Sequence, residues 1–306
     1  MPGAQESRVE EVSDSPIIRR LLDASAEISQ QEEPESLDFI HSVLAQVGMP
    51  RKNIEERFFE RSSGRAVMRL EAGSLFSQGK FVQQPLPYGT KPRLVMVHIS
   101  GEAVRTKQPT VEVGNSVREF LIRLGIDTSG GAHGGYTMFK KQMEALAACR
   151  LILGFSEEDR DVTINTQPIR RFEAWLPQQR DGQQSMWPGV MELSSDFFES
   201  LQEHAVPLDH TALAALKHSS MALDTYTWLA HRLCRERKRQ GTKVSWYALK
   251  EQFGQEYKDV KAFKREFLQS LRQVIAVYPD AQVFQVDGGL VLKPSRAPVA
   301  RKMITS

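Results

Sequence analysis

Cysteine is scarce in this chain of 306 residues: Cys149 and Cys234 are the only two, and neither has a partner at metal-ligand or redox spacing. A disulfide framework and a zinc site are therefore not expected, and reduced thiols fit a cytoplasmic protein. Long hydrophobic runs are also missing. No stretch approaches the roughly 18 apolar residues that span a bilayer, and the amino terminus lacks the basic start and apolar run of a signal peptide. Cytoplasmic localisation with no membrane insertion is the expectation. The seven histidines form no His-x-His pair and no His-Glu-x-x-His. Gly73-Ser74-Leu75-Phe76-Ser77-Gln78-Gly79-Lys80 has five residues between its glycines where a phosphate loop has four, and Phe81 stands where Ser or Thr would bind magnesium. No catalytic residue, cofactor or metal is expected, so the chain reads as something other than an enzyme.

What is present is an ordinary globular composition, 41% hydrophobic and 25% charged, on a length that suits two modest domains. The net charge of +2 is unevenly spread. Residues 1–40 hold ten acids against Arg8, Arg19 and Arg20, a balance of −7, so the rest carries +9. Between His231 and Arg272, twelve Lys or Arg face five Asp or Glu. Charge alone favours a solvated helix surface over a polyanion site.

Pattern divides the chain further. Residues 1–34 are acidic and poor in aromatics, which predicts a disordered tail, with a short helix after Ser15-Pro16 as an alternative. Leu37, Ile40, Leu44 and Val47 have helical spacing up to Gly48-Met49-Pro50. Helices follow from Lys91 to Thr106, from Val117 to a stop at Gly125, and from Tyr136 to about Arg150 after the Gly-rich loop Ser129 to Gly135. Two strand-like segments, Leu151 to Phe155 and Val162 to Trp175, come next, then the surface loop Pro177 to Gly189. Val190 to Leu193 reads as a strand, Asp196 to Glu203 as a helix and His204 to Asp209 as a turn. A long helix from Ser219 to about Arg239 precedes helices at Trp246 to Phe253 and Val260 to Val277. The hairpin Val283 to Leu292 turns on Asp287-Gly288. Three helices and a hairpin thus occur twice. The expectation is an α+β, helix-rich fold with two tandem winged-helix domains: a 1–34 tail, an N-terminal domain at 35–189, a C-terminal DNA-binding domain at 190–298 and a 299–306 tail.

The last helix carries the sharpest signal. On a wheel of about 100° per residue, Phe263, Phe267, Leu271 and Val274 cluster around Val260 as a core stripe. Lys258, Lys261, Arg265, Gln269 and Arg272 fall on the opposite side. Arg and Gln read guanine and adenine edges, whereas Lys mostly meets phosphate. Lys264 lies at the core flank and has to snorkel. The helix from Tyr136 offers Lys140 and Lys141 beside Glu144, a weaker version of the same surface. His204 and His210 read as structural caps, and Trp228 and Trp246 as core.

Ordered blocks from Pro85 to Pro294 carry a resemblance. Among them are Pro87-Tyr88-Gly89-Thr90-Lys91-Pro92-Arg93-Leu94, Leu193-Ser194-Ser195-Asp196-Phe197-Phe198, His204-Ala205-Val206-Pro207-Leu208-Asp209, Tyr226-Thr227-Trp228-Leu229-Ala230, Ser245-Trp246-Tyr247-Ala248-Leu249 and Val277-Tyr278-Pro279. This stretch resembles the plasmid-encoded RepA replication initiator family; residues 1–80 lie outside it. The resemblance implies binding to repeated sites in double-stranded plasmid origin DNA, local melting, recruitment of host helicase and other replication proteins, and a switch between homodimer and monomer. Arg93, Arg105, Lys217 and Arg232 lie in or near the matching blocks, where salt bridges suit them as readily as DNA. A winged-helix transcriptional regulator or autorepressor is the alternative reading.

Overall fold

Most helices begin where a side chain accepts a backbone N–H. Ser116, Ser194, Asp209, Ser219, Ser245 and Asp259 each do so at a helix start. The computed structural model describes residues 15–31, 33–77, 79–114, 116–129, 134–157, 160–171 and 189–300. In chain order the elements are α1 (Pro16–Gln30), β1 (Leu37–His41), α2 (Ser42–Gln46), β2 (Phe58–Ser63), β3 (Ala66–Glu71), β4 (Ser74–Ser77), β5 (Lys80–Gln83), α3 (Thr90–Thr106), β6 (Thr110–Glu112), α4 (Val117–Arg123) and α5 (Gly135–Ala148). There follow β7 (Arg150–Glu157), β8 (Arg160–Thr166), β9 (Ile169–Arg171), β10 (Val190–Leu193), α6 (Ser195–His204), β11 (Ala205–Asp209), α7 (His210–Leu216) and α8 (Ser220–Arg232). The chain ends with β12 (Thr242–Ser245), α9 (Trp246–Phe253), α10 (Val260–Val277), β13 (Val283–Val286) and β14 (Gly289–Leu292).

The result is a mixed α+β fold in which every strand pair is antiparallel. Two three-stranded sheets share one plan. After α3, the order is β6, α4, α5, β9, β10, with β10 between β6 and β9. From α8 onward it is β12, α9, α10, β13, β14, with β14 between β12 and β13. The first unit differs by an insertion: β7 and β8 join β2 and β3 in the sheet β2-β3-β7-β8. Buried apolar residues from Leu21 to Leu292 form one continuous cluster through both units.

Several sequence expectations need correction. The acidic tail is not disordered throughout 1–34, because Pro16–Gln30 is helical and buries Leu21 and Ala24 against the body. Thr211 Oγ1 donates to Glu27 Oε1 at 2.8 Å, tying α1 to α7. Residues 1–14 lie outside the described residues. Leu37 to His41 is a strand where a helix was expected, and His204 to Asp209 is largely its partner β11 where a turn was expected. Pro207 is tolerated opposite Phe39 because a two-stranded ribbon leaves one side of each strand free of ladder bonds. The boundary at 190 cuts a sheet, since β10 pairs with both β6 and β9 and so belongs with the first unit. Val299 is buried, which shortens the carboxy-terminal tail. The loop Pro177 to Gly189 lies outside the described residues except Gly189, as do Trp175, Trp187 and residues 130–133 of the Gly-rich loop.

The helix expected to run to Arg239 stops at Arg232, followed by a 3-10 turn at Leu233–Arg235. Glu236 explains the exit. Its buried carboxylate accepts from the N–H groups of Arg237 and Lys238, both at 3.1 Å, and from Arg232 Nη2 at 2.9 Å. These bonds hold the chain in a non-helical turn. Gly241 (φ +82°) then swings it into β12, where a Cβ would sit 2.6 Å from Leu292 O.

Candidate nucleic-acid interface

The α10 stripe is built as its periodicity predicts. Phe263, Phe267, Leu271 and Val274 are buried, with the tilted rings of Phe263 and Phe267 5.4 Å apart and Phe267 5.5 Å from Phe253. This aromatic anchor fixes the rotation of α10, so the opposite side must face solvent. Lys258, Lys261, Arg265, Gln269 and Arg272 are all exposed there. Arg265 Nε lies 3.4 Å from Glu266 Oε1, but the Arg265 side chain is 78% exposed and the pair holds it only weakly. Lys264 lays its ammonium 5.0 Å from the centre of the Trp246 ring, the snorkelling its flank position requires.

The second unit also exposes basic residues that the sequence reading did not pick as candidates. Arg237, Lys238 and Arg239 are exposed on the turn that Glu236 organises, and Lys243 is exposed on β12. The run was visible in the sequence but was read as the end of a helix. At the β13–β14 hairpin, Phe284 is 44% exposed with Lys293 Nζ 4.9 Å above its ring. Gly288 takes φ +74°, as the Asp-Gly turn requires. Tyr247, 75% exposed, projects from α9.

Lys140 and Lys141 sit apart, on α5 of the first unit. Lys141 is exposed, whereas Lys140 is half-buried and lies 3.9 Å from Glu144 one helical turn on. Four of the seven expected residues are thus on the exposed face of α10, Lys258 stands just before its cap, and two lie on α5.

The remaining polar residues serve structure. Arg93 pairs with Asp224, Arg105 with Glu102 and Arg232 with Glu236, all among the charged positions for which salt bridges were considered. His210 Nδ1 lies 2.7 Å from Asp38. His231 is held down to about 3 by burial and by Arg235 and Arg232, so it adds no charge near neutrality. Burial pushes the Cys149 thiol up to about 12. Within the run that resembles a phosphate loop, Ser74–Ser77 form β4 and Lys80 begins β5. Among the described residues no group of three or more His, Cys, Asp or Glu is placed to hold a metal ion, and no helix is long and apolar enough to cross a membrane.

No curated protein matches this chain. A solved structure of domains 2 and 3 of RctB is similar at 9% identity and a TM-score of 0.47, covering 82% of this chain and 96% of that one. Residues 86–248, just over half the sequence, match the RepA_C family of plasmid encoded RepA protein. The chain belongs to the family of plasmid-encoded RepA proteins.

Proposed function

We propose that this protein is a replication initiator that binds repeated sites in duplex origin DNA through two winged-helix units, opens nearby DNA and recruits host helicase and other replication proteins. Family membership supports the process. The repeated order of helix, strand, two helices and two strands, with the last strand central, supports the winged-helix reading of both units. The second unit supplies base readout, with α10 as recognition helix and the β13–β14 hairpin as wing. One observation carries this reading: Lys261, Arg265, Gln269 and Arg272, with Lys258 just ahead of the helix cap, are exposed opposite a buried aromatic core.

The protein acts by binding, without a catalytic centre or cofactor of its own, and neither nicks plasmid DNA nor turns over nucleotide. The test is a transformation. The gene with its flanking DNA is joined to a circle that cannot replicate, and the circle is expected to persist. Protection of direct repeats in that DNA supports initiation, whereas failure to persist together with protection of one inverted repeat over a promoter marks a transcriptional regulator instead.

A further inference from the structure

The β4–β5 hairpin exposes a pair of phenylalanine rings where β2 and β13 each expose one, Phe58 and Phe284. Phe76 and Phe81 are cross-strand partners on one face, with ring centres 5.5 Å apart at 68°. They are 61% and 76% exposed. Leu75 and Ser77, on the other face, are half-buried, and β4 packs on α5. Two aromatic rings on an open face are unusual unless something covers them.

The root of the hairpin is fixed. Arg57 donates from Nη1 to Gln84 O at 2.8 Å and from Nη2 to Ala72 O at 2.9 Å, clamping the two ends together. Gly73 lies so close to the end of α5 that a Cβ there would sit 2.0 Å from Ala148 O. The ring pair is therefore presented from a rigid base beside α5, the helix that carries the exposed Lys141.

Size and charge select the occupant. At roughly 200 Å² per aromatic side chain, the two rings expose about 270 Å², a third of the roughly 800 Å² each partner contributes to a stable protein interface. The flanking Ser74 and Gln83 are polar, so the patch does not grow. Residues 74–83 contain Lys80 and no Asp or Glu. A small apolar face without negative charge suits a flat ring attached to a polyanion.

We infer that the β4–β5 hairpin, through Phe76 and Phe81, is a stacking platform for unpaired nucleobases of single-stranded DNA. The assignment rests on the DNA-binding reading above. It gives the first unit a task distinct from the duplex readout of α10, namely holding one strand of opened DNA. Stacking on a π-face tolerates any base sequence.

The experiment uses the full chain and two fluorescent probes, an oligothymidylate of about 15 nucleotides and a mixed-sequence duplex of about 30 base pairs, in parallel anisotropy titrations at one salt concentration. The double variant Phe76→Ser, Phe81→Ser is expected to lose at least about tenfold in affinity for oligothymidylate and to keep duplex affinity within about twofold. Phe76→Tyr with Phe81→Tyr, which preserves both ring faces, is expected to bind the oligonucleotide as wild type does. Unchanged oligothymidylate binding by the serine variant overturns the assignment. So does an equal loss on duplex, which makes the hairpin part of the duplex surface, or a lower mass in sedimentation, which makes a second copy the occupant. Duplex binding that depends on Arg265 beside an unaffected hairpin variant sinks only this inference. Wild-type protein that binds neither probe sinks the DNA-binding reading as well.

Discussion

Arg93 on α3 and Asp224 on α8 form a bidentate ion pair, Nε to Oδ1 at 2.6 Å and Nη2 to Oδ2 at 2.8 Å, with both side chains only 6% exposed. Arg93 also donates to the carbonyls of Pro50 and Gly89 at 3.1 and 2.6 Å and to that of Met49. One guanidinium thus fastens the first helix of each unit to the segment before β2. Gly48 lies against the same carboxylate, where a Cβ would sit 2.2 Å from Oδ2. Asp224→Ala strands a buried cation, and stability is expected to drop by about 3–5 kcal/mol. Urea denaturation measures this; a loss below about 1 kcal/mol would show that the two units do not depend on the pair.

On α10, Arg265→Ala and Gln269→Ala are each expected to weaken binding by roughly 1–3 kcal/mol, mainly at particular base pairs, if the proposed duplex readout by α10 holds. Lys261→Ala is expected to weaken all sequences alike and to lower the salt dependence by about one unit of slope. All three positions are exposed, so folding is not at stake. Anisotropy titrations on origin fragments with single base-pair changes separate the two patterns. Wild-type affinity for the Arg265→Ala, Gln269→Ala double variant on every fragment removes α10 from the interface.

These predictions draw on the part of the molecule that local signals specify. The α10 face was legible because Asp259 caps the helix, the Phe263 and Phe267 stripe fixes its rotation, and Asp287-Gly288 dictates the following turn. Each signal lies within a few residues of its effect. The strands that escaped detection depend on distant partners. Phe39 pairs with Pro207, and Val244 with Leu290, so no window around either segment contains the reason for its extension. The basic turn at Arg237 to Arg239 was misread because one carboxylate, Glu236, outcompetes helix hydrogen bonds that its neighbours would otherwise form. The repeat of helices and hairpin was read in the sequence, but on the wrong hairpin in the first unit: β7 and β8 directly follow α5 yet join β3 and β2, and β9 and β10 complete the unit's own sheet.

The helix α1 shows how a composition rule is overridden by packing. Residues 1–40 are strongly acidic, yet α1 buries Leu21 and Ala24, and Ile17 and Ile28 lie against the core. Deleting residues 1–14, whose acidic sequence holds no aromatic side chain, is expected to leave the melting temperature unchanged within about 1 °C. Deleting residues 1–31 uncovers the α7 and α10 surfaces beneath α1 and costs at least about 2 kcal/mol, the scale of one fully buried Leu. Differential scanning calorimetry on the two truncations checks the contrast; equal melting temperatures would return α1 to the status of a tail.

Stability is also expected to depend on pH through His41. Its imidazole is fully buried and bonded on both sides, accepting from Val43 N–H at Nδ1 (3.2 Å) and meeting Ser200 Oγ at Nε2 (2.9 Å). A backbone N–H can only donate, so Nδ1 is unprotonated and a second proton would set two donors against each other. Burial first, and then the neighbouring His204, hold the folded-state pKa down to about 3 from 6.5. The unfolded chain therefore binds the proton first. The stabilisation is full above about pH 6.5 and is lost progressively as the pH falls from there toward 3, the loss reaching about 2 kcal/mol by pH 5. His41→Asn keeps an acceptor for Val43 N–H but does not titrate, so its stability is expected to fall less steeply than that of wild type between pH 7 and pH 5. Urea denaturation at three pH values gives both slopes. Parallel slopes would mean that His41 is not the group that resists protonation.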